Sequence, residues 1–425
     1  MGSNSRKNGR RRASSRPLNV LMLALVCVGS AGCEGLLDVR LPGEVVDETV
    51  SDPIYAQLFT ESAVAAFECA FSTYVALSGN LTDELASSGS LEAHIRYDMR
   101  NVGRDYPPFA ESLCGSLGAL HTPMSQARWM ADDAIRRLEA ATDAEVAKRS
   151  TLLATAYAYA GYSYLVFGEG WCSAAFDNGP ELLPPAVLAL AEARFTKAIE
   201  FAQAAGATDI GNMARVGRAR TRLDLKNLPG AAADARLVPQ NFNFMVTREA
   251  AVPTRENEYF VQGPYTRDTS VEPEFWNLTW KGVPDPRVSL TFTGVLARDG
   301  QTRLINANKY PTAGTSMRLA SWAEAQLILA EAEGGQTALD AVNALHARAG
   351  LPAFVPATDG DVMQHVITEE RRREIFLEGH RLNDMIRHNL PFQTGANPYN
   401  NRAYGNTTCF PLPYIETDNN PNIEG

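Results

Sequence analysis

Residues 369–389 read EERRREIFLEGHRLNDMIRHN, which places five arginines and five acids around the apolar run Ile375, Phe376 and Leu377. An ordered segment that buries those three side chains draws some of the neighbouring charges inward with them. A buried ion tolerates no missing partner, since breaking a buried pair costs about 3–5 kcal/mol. The chain must therefore fold so that this block meets complementary charge. Asp361 is the expected start of the helix that carries it. On that helix Arg371 faces Glu374, Glu378 faces Arg381, and Arg381 faces Asp384, each at i,i+3 spacing. These five residues are expected to form structural ion pairs. Glu374 and Glu378 as a catalytic carboxylate pair is disfavoured, because an arginine within reach of each lowers its pKa and spoils a general acid.

Apolar periodicity elsewhere predicts a mostly α-helical chain built of helical hairpins. Helices are expected from Ser125 to about Ala141, from Asp143 or Ala144 to Phe167, from Val187 to Ala205 and from Ile210 to Lys226, with an alanine-rich turn after Gly230. Leu153, Tyr157, Ala160, Tyr164 and Phe167 form one stripe at helical period, which marks core in preference to a ligand site. Ala156, Ala158, Ala160 and Gly161 would let a partner helix approach closely. Such pairs resemble tetratricopeptide units, without a clean repeat period; an ordinary helical bundle is the other reading. Further helices are expected over Met317 to Glu333 and Ala338 to Ala349.

Between about Leu237 and Ser316 proline, glycine and asparagine interrupt every short run, so loops with short strands are expected. Aromatics crowd this segment, which argues against disorder and for a recognition surface. Flat rings with polar edges suit sugars. Tyr259, Tyr265, Trp276 and Trp280 are the candidate ligand-binding residues, with Trp171 and Tyr399 behind them.

The N-terminus carries a different message. Six of the 39 basic residues and none of the 49 acids precede Cys33, so the formal net charge of −10 understates the acidity of the remainder. An acidic body disfavours nucleic acid as a partner, because phosphate binding needs a basic stripe. The basic stretch leads into an apolar run from Leu18 to Val28, short of the ~20 residues that span a bilayer, then into small residues: the order of a signal peptide. Ser30-Ala31-Gly32-Cys33 resembles a lipobox, so Cys33 is the expected lipidation site and membrane anchor. Residues 1–32 are then signal peptide, 33–43 a lipidated tether, and 44–425 the body. That body divides into N-terminal hairpins (44–236), the loop-rich segment (237–316), C-terminal helices (317–390) and an extended end (391–425). Among the other cysteines, Cys69 with Cys114 and Cys172 with Cys409 is the favoured disulfide pairing, since the first two fall in neighbouring predicted helices.

Signatures of chemistry are missing. The chain has no CxxC, HExxH, GxSxG, P-loop or GxGxxG, so neither a metal, a cofactor nor a catalytic nucleophile is expected. Asp83, Glu84 and Glu169 are read as solvated or capping carboxylates before they are read as a glycosidase pair.

Glu370, Arg371, Glu374, Glu378, Gly379, Arg381, Asp384 and Arg387 follow the ER..E..FEG.R..DL.R pattern, and the chain resembles the SusD/RagB family through them. Residues 318–333, 338–352, Asp285 to Arg287, Lys309 with Tyr310, LLDVRLP after Cys33 and FPLPYIETDNNPN near the end resemble family segments in family order. The resemblance implies a helical outer-membrane lipoprotein at the cell surface of a Gram-negative bacterium. It would capture a nutrient, an oligosaccharide or a peptide-like molecule, and deliver it without bond chemistry to a SusC-like TonB-dependent transporter. A helical-repeat scaffold that binds an envelope protein is the alternative.

Overall fold

Helix-forming residues with small side chains at the crossings set the N-terminal half. In a computed structural model that describes residues 52–397, 401–418 and 420–423, α1 (Ala56–Leu81), α2 (His121–Ala140), α3 (Arg149–Gly170), α4 (Pro184–Ala205), α5 (Thr208–Asp224) and α6 (Leu228–Arg236) each pack on the next. The expected signal peptide, the expected tether with Cys33, and Tyr399 lie outside the described residues. α3 is buried along nearly its whole second half, which fits its apolar stripe. Phe195 of α4 is the central knob. A Cβ at Gly161 of α3 would lie 2.7 Å from its ring, and one at Gly217 of α5 would lie closer still. Two glycines thus let one phenylalanine lock three helices, with Tyr162 meeting the ring edge-on at 5.0 Å.

The middle of the chain is loops with short antiparallel ladders. β1 (Leu85–Ser87) pairs with β3 (Thr269–Val271), β2 (Asn243–Val246) with β6 (Met317–Ser321), and β4 (Leu290–Leu296) with β5 (Arg303–Ala307). The helix expected from Met317 therefore starts later. Met317 to Ser321 are taken by the ladder with β2, and α7 (Trp322–Glu333) opens where the Ser321 hydroxyl accepts the Glu324 N–H. α8 (Gly335–Ala349) follows and packs against α7. The fold is mostly α, with tetratricopeptide-like hairpins and a strand-poor insert. The helix expected to begin near Asp143 begins at Arg149, after a turn in which the Thr142 N–H and the Glu145 carboxylate cap each other's segment.

Disulfides join Cys69 to Cys114 and Cys172 to Cys409. Cys114 lies in a turn and not in a helix. The second bridge clips the C-terminal segment onto the end of α3, where Cys172 N–H donates to the Phe410 carbonyl and Phe410 N–H to that of Gly170. Phe410 then enters an aromatic cluster with Trp171, Tyr74, Tyr97 and Phe109. Trp171 is consequently core.

The charged block is not one helix. A π-turn (Val366–Glu370) leads into the single turn Arg371–Glu374; the chain then breaks and resumes as α9 (Arg381–Arg387). The break is imposed from outside the segment. Leu377 is buried at φ +54, a left-handed conformation that costs about 1–2 kcal/mol for a residue with a Cβ. Its N–H donates to the Glu84 carboxylate at 2.8 Å and its carbonyl accepts from the Tyr310 hydroxyl at 2.8 Å. Gly379, at φ +80, returns the chain toward α9, and a Cβ there would press on Tyr74 at 3.2 Å.

The break redistributes the expected i,i+3 pairs. Arg371 pairs with Asp384 at 2.8 Å and not with Glu374. Glu374 faces Arg287 and Arg318, at 3.4 and 3.6 Å. Glu378 is held by Arg318 at 2.6 Å and by Lys309. Arg381 pairs with Asp83 at 2.5 Å. Asp384 also meets Arg387 at 3.2 Å, a local i,i+3 pair like that of Glu369 with Arg372. Glu84 and Glu169 are therefore neither solvated nor capping: Glu84 grips the block, as the partly open Asp83 does through Arg381, and Glu169 is buried against Arg220 at 3.0 Å.

Two variants test these arguments. Phe195→Ala leaves a void between α3, α4 and α5 that glycine cannot fill and should cost about 3–5 kcal/mol in denaturant unfolding. Asp384→Ala takes from Arg371 its closest partner and from Arg387 one of its three, and should cost about 3–5 kcal/mol, whereas an exposed pair such as Lys197 with Glu200 should cost under about 1 kcal/mol when broken.

Candidate functional site

The inner side of the charged block meets the C-terminal extended segment across an open cleft of about 620 Å³. Its walls come from four stretches: Asp83 just after α1, Glu272 to Glu274 just after β3, Thr368, Glu369 and Arg372 around the π-turn, and residues 390–396 with Tyr404. The volume is in the range of small-ligand sites, about 300–1,000 Å³.

Three of the walls are braced by charge. Arg381 binds Asp83 through two bonds, at 2.7 and 2.5 Å. Arg372 holds Glu369 at 2.9–3.0 Å and also donates to the Glu274 carbonyl at 2.9 Å. Burial alone would raise the Glu369 carboxyl, but Arg372 and Arg373 hold it below the usual range. Among the described residues Glu272 has no such partner. Burial, with the charges of Asp83 and Glu274 adding to it, pushes its carboxyl up to about 8, so at neutral pH it is an O–H donor among anions.

The fourth wall is carbon and amide. Gln393 donates to the Thr82 carbonyl at 3.0 Å, and its own carbonyl accepts from Arg100 at 2.5 Å. The same guanidinium lies 5.5 Å from the Phe392 ring centroid and 5.8 Å from that of Tyr404. Both rings are half-buried, held at their inner side. The cleft thus offers fixed carboxylates, guanidinium edges, one protonated carboxyl and two aromatic faces. That inventory can exchange hydrogen bonds with neighbouring hydroxyls while a ring rests on carbon.

The aromatics expected to form a platform are not brought together, and none of them lines this cleft. Tyr259 is buried, its hydroxyl accepting the Ala307 N–H at 2.6 Å. Trp276 donates its indole N–H to the Val271 carbonyl at 2.8 Å and meets Phe292 edge-on. Trp280 donates to the Pro352 carbonyl at 2.7 Å and stacks on Phe354. Their polar edges are spent on backbone, which is the chemistry of packing. Tyr265 alone of the four is open, at 74% exposure. Phe392, Gln393 and Tyr404 were missed, although PFQTGANPYNNRAYGN has the same mix of aromatic, glycine and asparagine that marked residues 237–316. An exposed Trp129 on α2, beside Gln126, Asp177 and Asn178, was missed as well.

A model of the SusD family matches residues 301–424, the stretch that holds the charged block and two of the four walls of the cleft. No curated protein matches the chain. Solved structures do. A SusD superfamily protein from Bacteroides vulgatus is 17% identical with a TM-score of 0.65, over 88% of this chain and 98% of that one. NanU of B. fragilis is 14% identical with a TM-score of 0.65, over 90% and 99%. Surface glycan-binding protein A from Bacteroides fluxus is 15% identical with a TM-score of 0.63, over 86% and 97%. The C-terminal stretch is matched by the SusD family model, and the described body shares the fold of these solved proteins.

Proposed function

We infer that the chain captures a hydroxyl-rich nutrient, an oligosaccharide, in the cleft between the charged block and the C-terminal segment, and releases it unaltered to a SusC-like TonB-dependent transporter. The observation that carries this reading is the cleft's polar inventory. Adjacent sugar hydroxyls match the paired oxygens of Asp83 and Glu369 and the edges of Arg372 and Arg381, while Phe392 and Tyr404 cover C–H faces. Two similar proteins support the ligand class by name: the glycan-binding protein from B. fluxus, and a SusD-like carbohydrate-binding protein from B. vulgatus that is 14% identical with a TM-score of 0.62. Binding without catalysis is part of this reading: Asp83 and Glu369, two of the acids that line the cleft, are committed to arginine. In this reading Cys33 carries the lipid, the outer membrane is the location, and about 0.8 kcal/mol per buried CH₂ holds the body there. No helix among the described residues is long and apolar enough to cross a membrane.

Calorimetry of the soluble body against an oligosaccharide panel tests the site. Phe392→Ala and Arg372→Ala should each weaken the bound sugar at least about tenfold while Trp129→Ala does not. If Trp129→Ala alone removes binding, the site lies on the helical face; if no glycan saturates the protein, the reading fails. Detergent extraction of the tagged native protein should bring down a large β-barrel, and recovery of soluble partners alone would favour the scaffold.

The buried acids set a pH dependence. Glu84 and Glu272 are both pushed up to about 8 from an ordinary 4.5, in each case chiefly by burial. The folded chain therefore holds protons that the unfolded chain has lost between those values. These groups make stability fall as pH rises through that window and level off above it. Glu272→Gln should flatten the fall in urea-unfolding free energy between pH 5 and pH 8 (roughly the window those shifts define); an unchanged slope would show that Glu272 is ionised in the folded state.

A further inference from the structure

Beneath Trp280, on the far side of the π-turn from the cleft wall, two imidazoles converge on one carboxylate oxygen. His346 Nε2 lies 3.0 Å and His365 Nε2 3.3 Å from Glu370 Oε2, and all three side chains are buried. His346 comes from α8. His365 and Glu370 bracket the π-turn, whose i to i+5 bonding stacks residues five apart on one face. An α-helix would have turned them apart. Glu370 is oriented from behind by Arg287, which donates to its other oxygen, Oε1, at 2.5 Å and more distantly to Oε2 at 3.4 Å.

The His346 ring is already turned for ligation. Its Nδ1 lies 2.8 Å from the Pro352 carbonyl oxygen, which can only accept, so Nδ1 carries hydrogen. That fixes Nε2 toward Glu370 Oε2 at 3.0 Å, and His365 Nε2 converges on the same oxygen from a different element. Without a metal the same contacts are two N–H···O hydrogen bonds, and metal titration separates the two cases. An Nδ1–H fixed on a carbonyl is also how metal-ligating histidines are commonly oriented.

We propose that His346, His365 and Glu370 form a site for a divalent transition-metal ion of the zinc class, with water completing four ligands. Two nitrogens and one oxygen suit such an ion, whereas magnesium and calcium prefer oxygen throughout. The three donor atoms lie within 4.8 Å of one another. A tetrahedral ion about 2.0–2.1 Å from each needs donors roughly 3.4 Å apart, within reach of small imidazole rotations. Trp280 covers the site, its centroid 5.1 and 4.9 Å from the two imidazoles, and Phe354 lies 4.8 Å from His365. So enclosed, the ion has no substrate to reach. It is a staple that ties α8 to the entry of the charged block.

The test uses the full mature chain, stripped with a chelator and titrated with Zn²⁺ alone, with Co²⁺ as a spectroscopic probe and Mg²⁺ as the control. One Zn²⁺ should bind per chain and raise the melting temperature by several degrees at about 100-fold excess over Kd. Co²⁺ should give the visible bands of a four-coordinate site, and Mg²⁺ should do neither. His346→Gln and His365→Gln should each weaken Zn²⁺ binding at least about tenfold, with circular dichroism confirming that the metal-free variants are folded. Since wild type is titrated first, the proposal does not depend on either variant folding. It is overturned if folded wild type takes up no zinc at micromolar concentration, or if both variants bind zinc as wild type does.

Discussion

The structure depends on a buried network of carboxylates and guanidinium groups whose members come from nearly every part of the chain. Arg371, Asp384, Arg387 and Glu331 form one knot, Arg318, Glu374, Glu378 and Lys309 a second, and Arg287, Asp285, Glu370 and Arg373 a third. Asp224 of α5 reaches Arg387 at 3.3 Å, and Asp83 reaches Arg381. Each ion would cost several kcal/mol if left alone away from water. A hydrophobic core could slide or repack at modest cost, but these partners accept one arrangement. The network's contribution is therefore chiefly to register: it fixes the C-terminal third against the helical hairpins and the loop-rich middle.

What could be read from sequence follows from how local each cause is. The stripe on α3 and the small residues facing α4 are local patterns, and the helices they predict are present to within a few residues apart from the delayed start of α3. The need to pair charges in residues 369–389 was legible for the same reason. The partners were not, because a left-handed Leu377 is stabilised by Glu84 and Tyr310, nearly three hundred and nearly seventy residues away in sequence. Likewise nothing within RLAS announces a strand; Met317 to Ser321 become one because β2 supplies the other half of the ladder.

The candidate site was less legible than the fold, and the reason is again physical. An aromatic residue's role depends on which of its faces stays open, and that is decided by neighbours far along the chain. Trp280 and Trp276 have the composition of a sugar platform and the bonding of packed core, each indole N–H closed on a carbonyl. Phe392 and Tyr404 have an ordinary sequence context, yet Arg100 supports them from within and leaves them facing a cleft. Ligand geometry suffers the same loss of locality. His365 and Glu370 are at no familiar metal spacing and meet only because the turn between them is π.

The network and the cleft share members, and this bears on how binding would be achieved. Asp83, Arg381, Glu369 and Arg372 line the cleft while holding partners inside the protein. A side chain already fixed by a bidentate ion pair loses little rotamer freedom when a ligand arrives, so the ordering cost of association falls mainly on the ligand. The same coupling constrains variation. The cleft's charged walls cannot change without disturbing the register of the fold, whereas Phe392 and Gln393 stand on a segment clipped in place by the disulfide at Cys409 and by Arg100. In the proposed reading, specificity is altered most cheaply at Phe392, Gln393, Thr394 and Tyr404, where a substitution alters the surface of the cleft and leaves the buried charges paired.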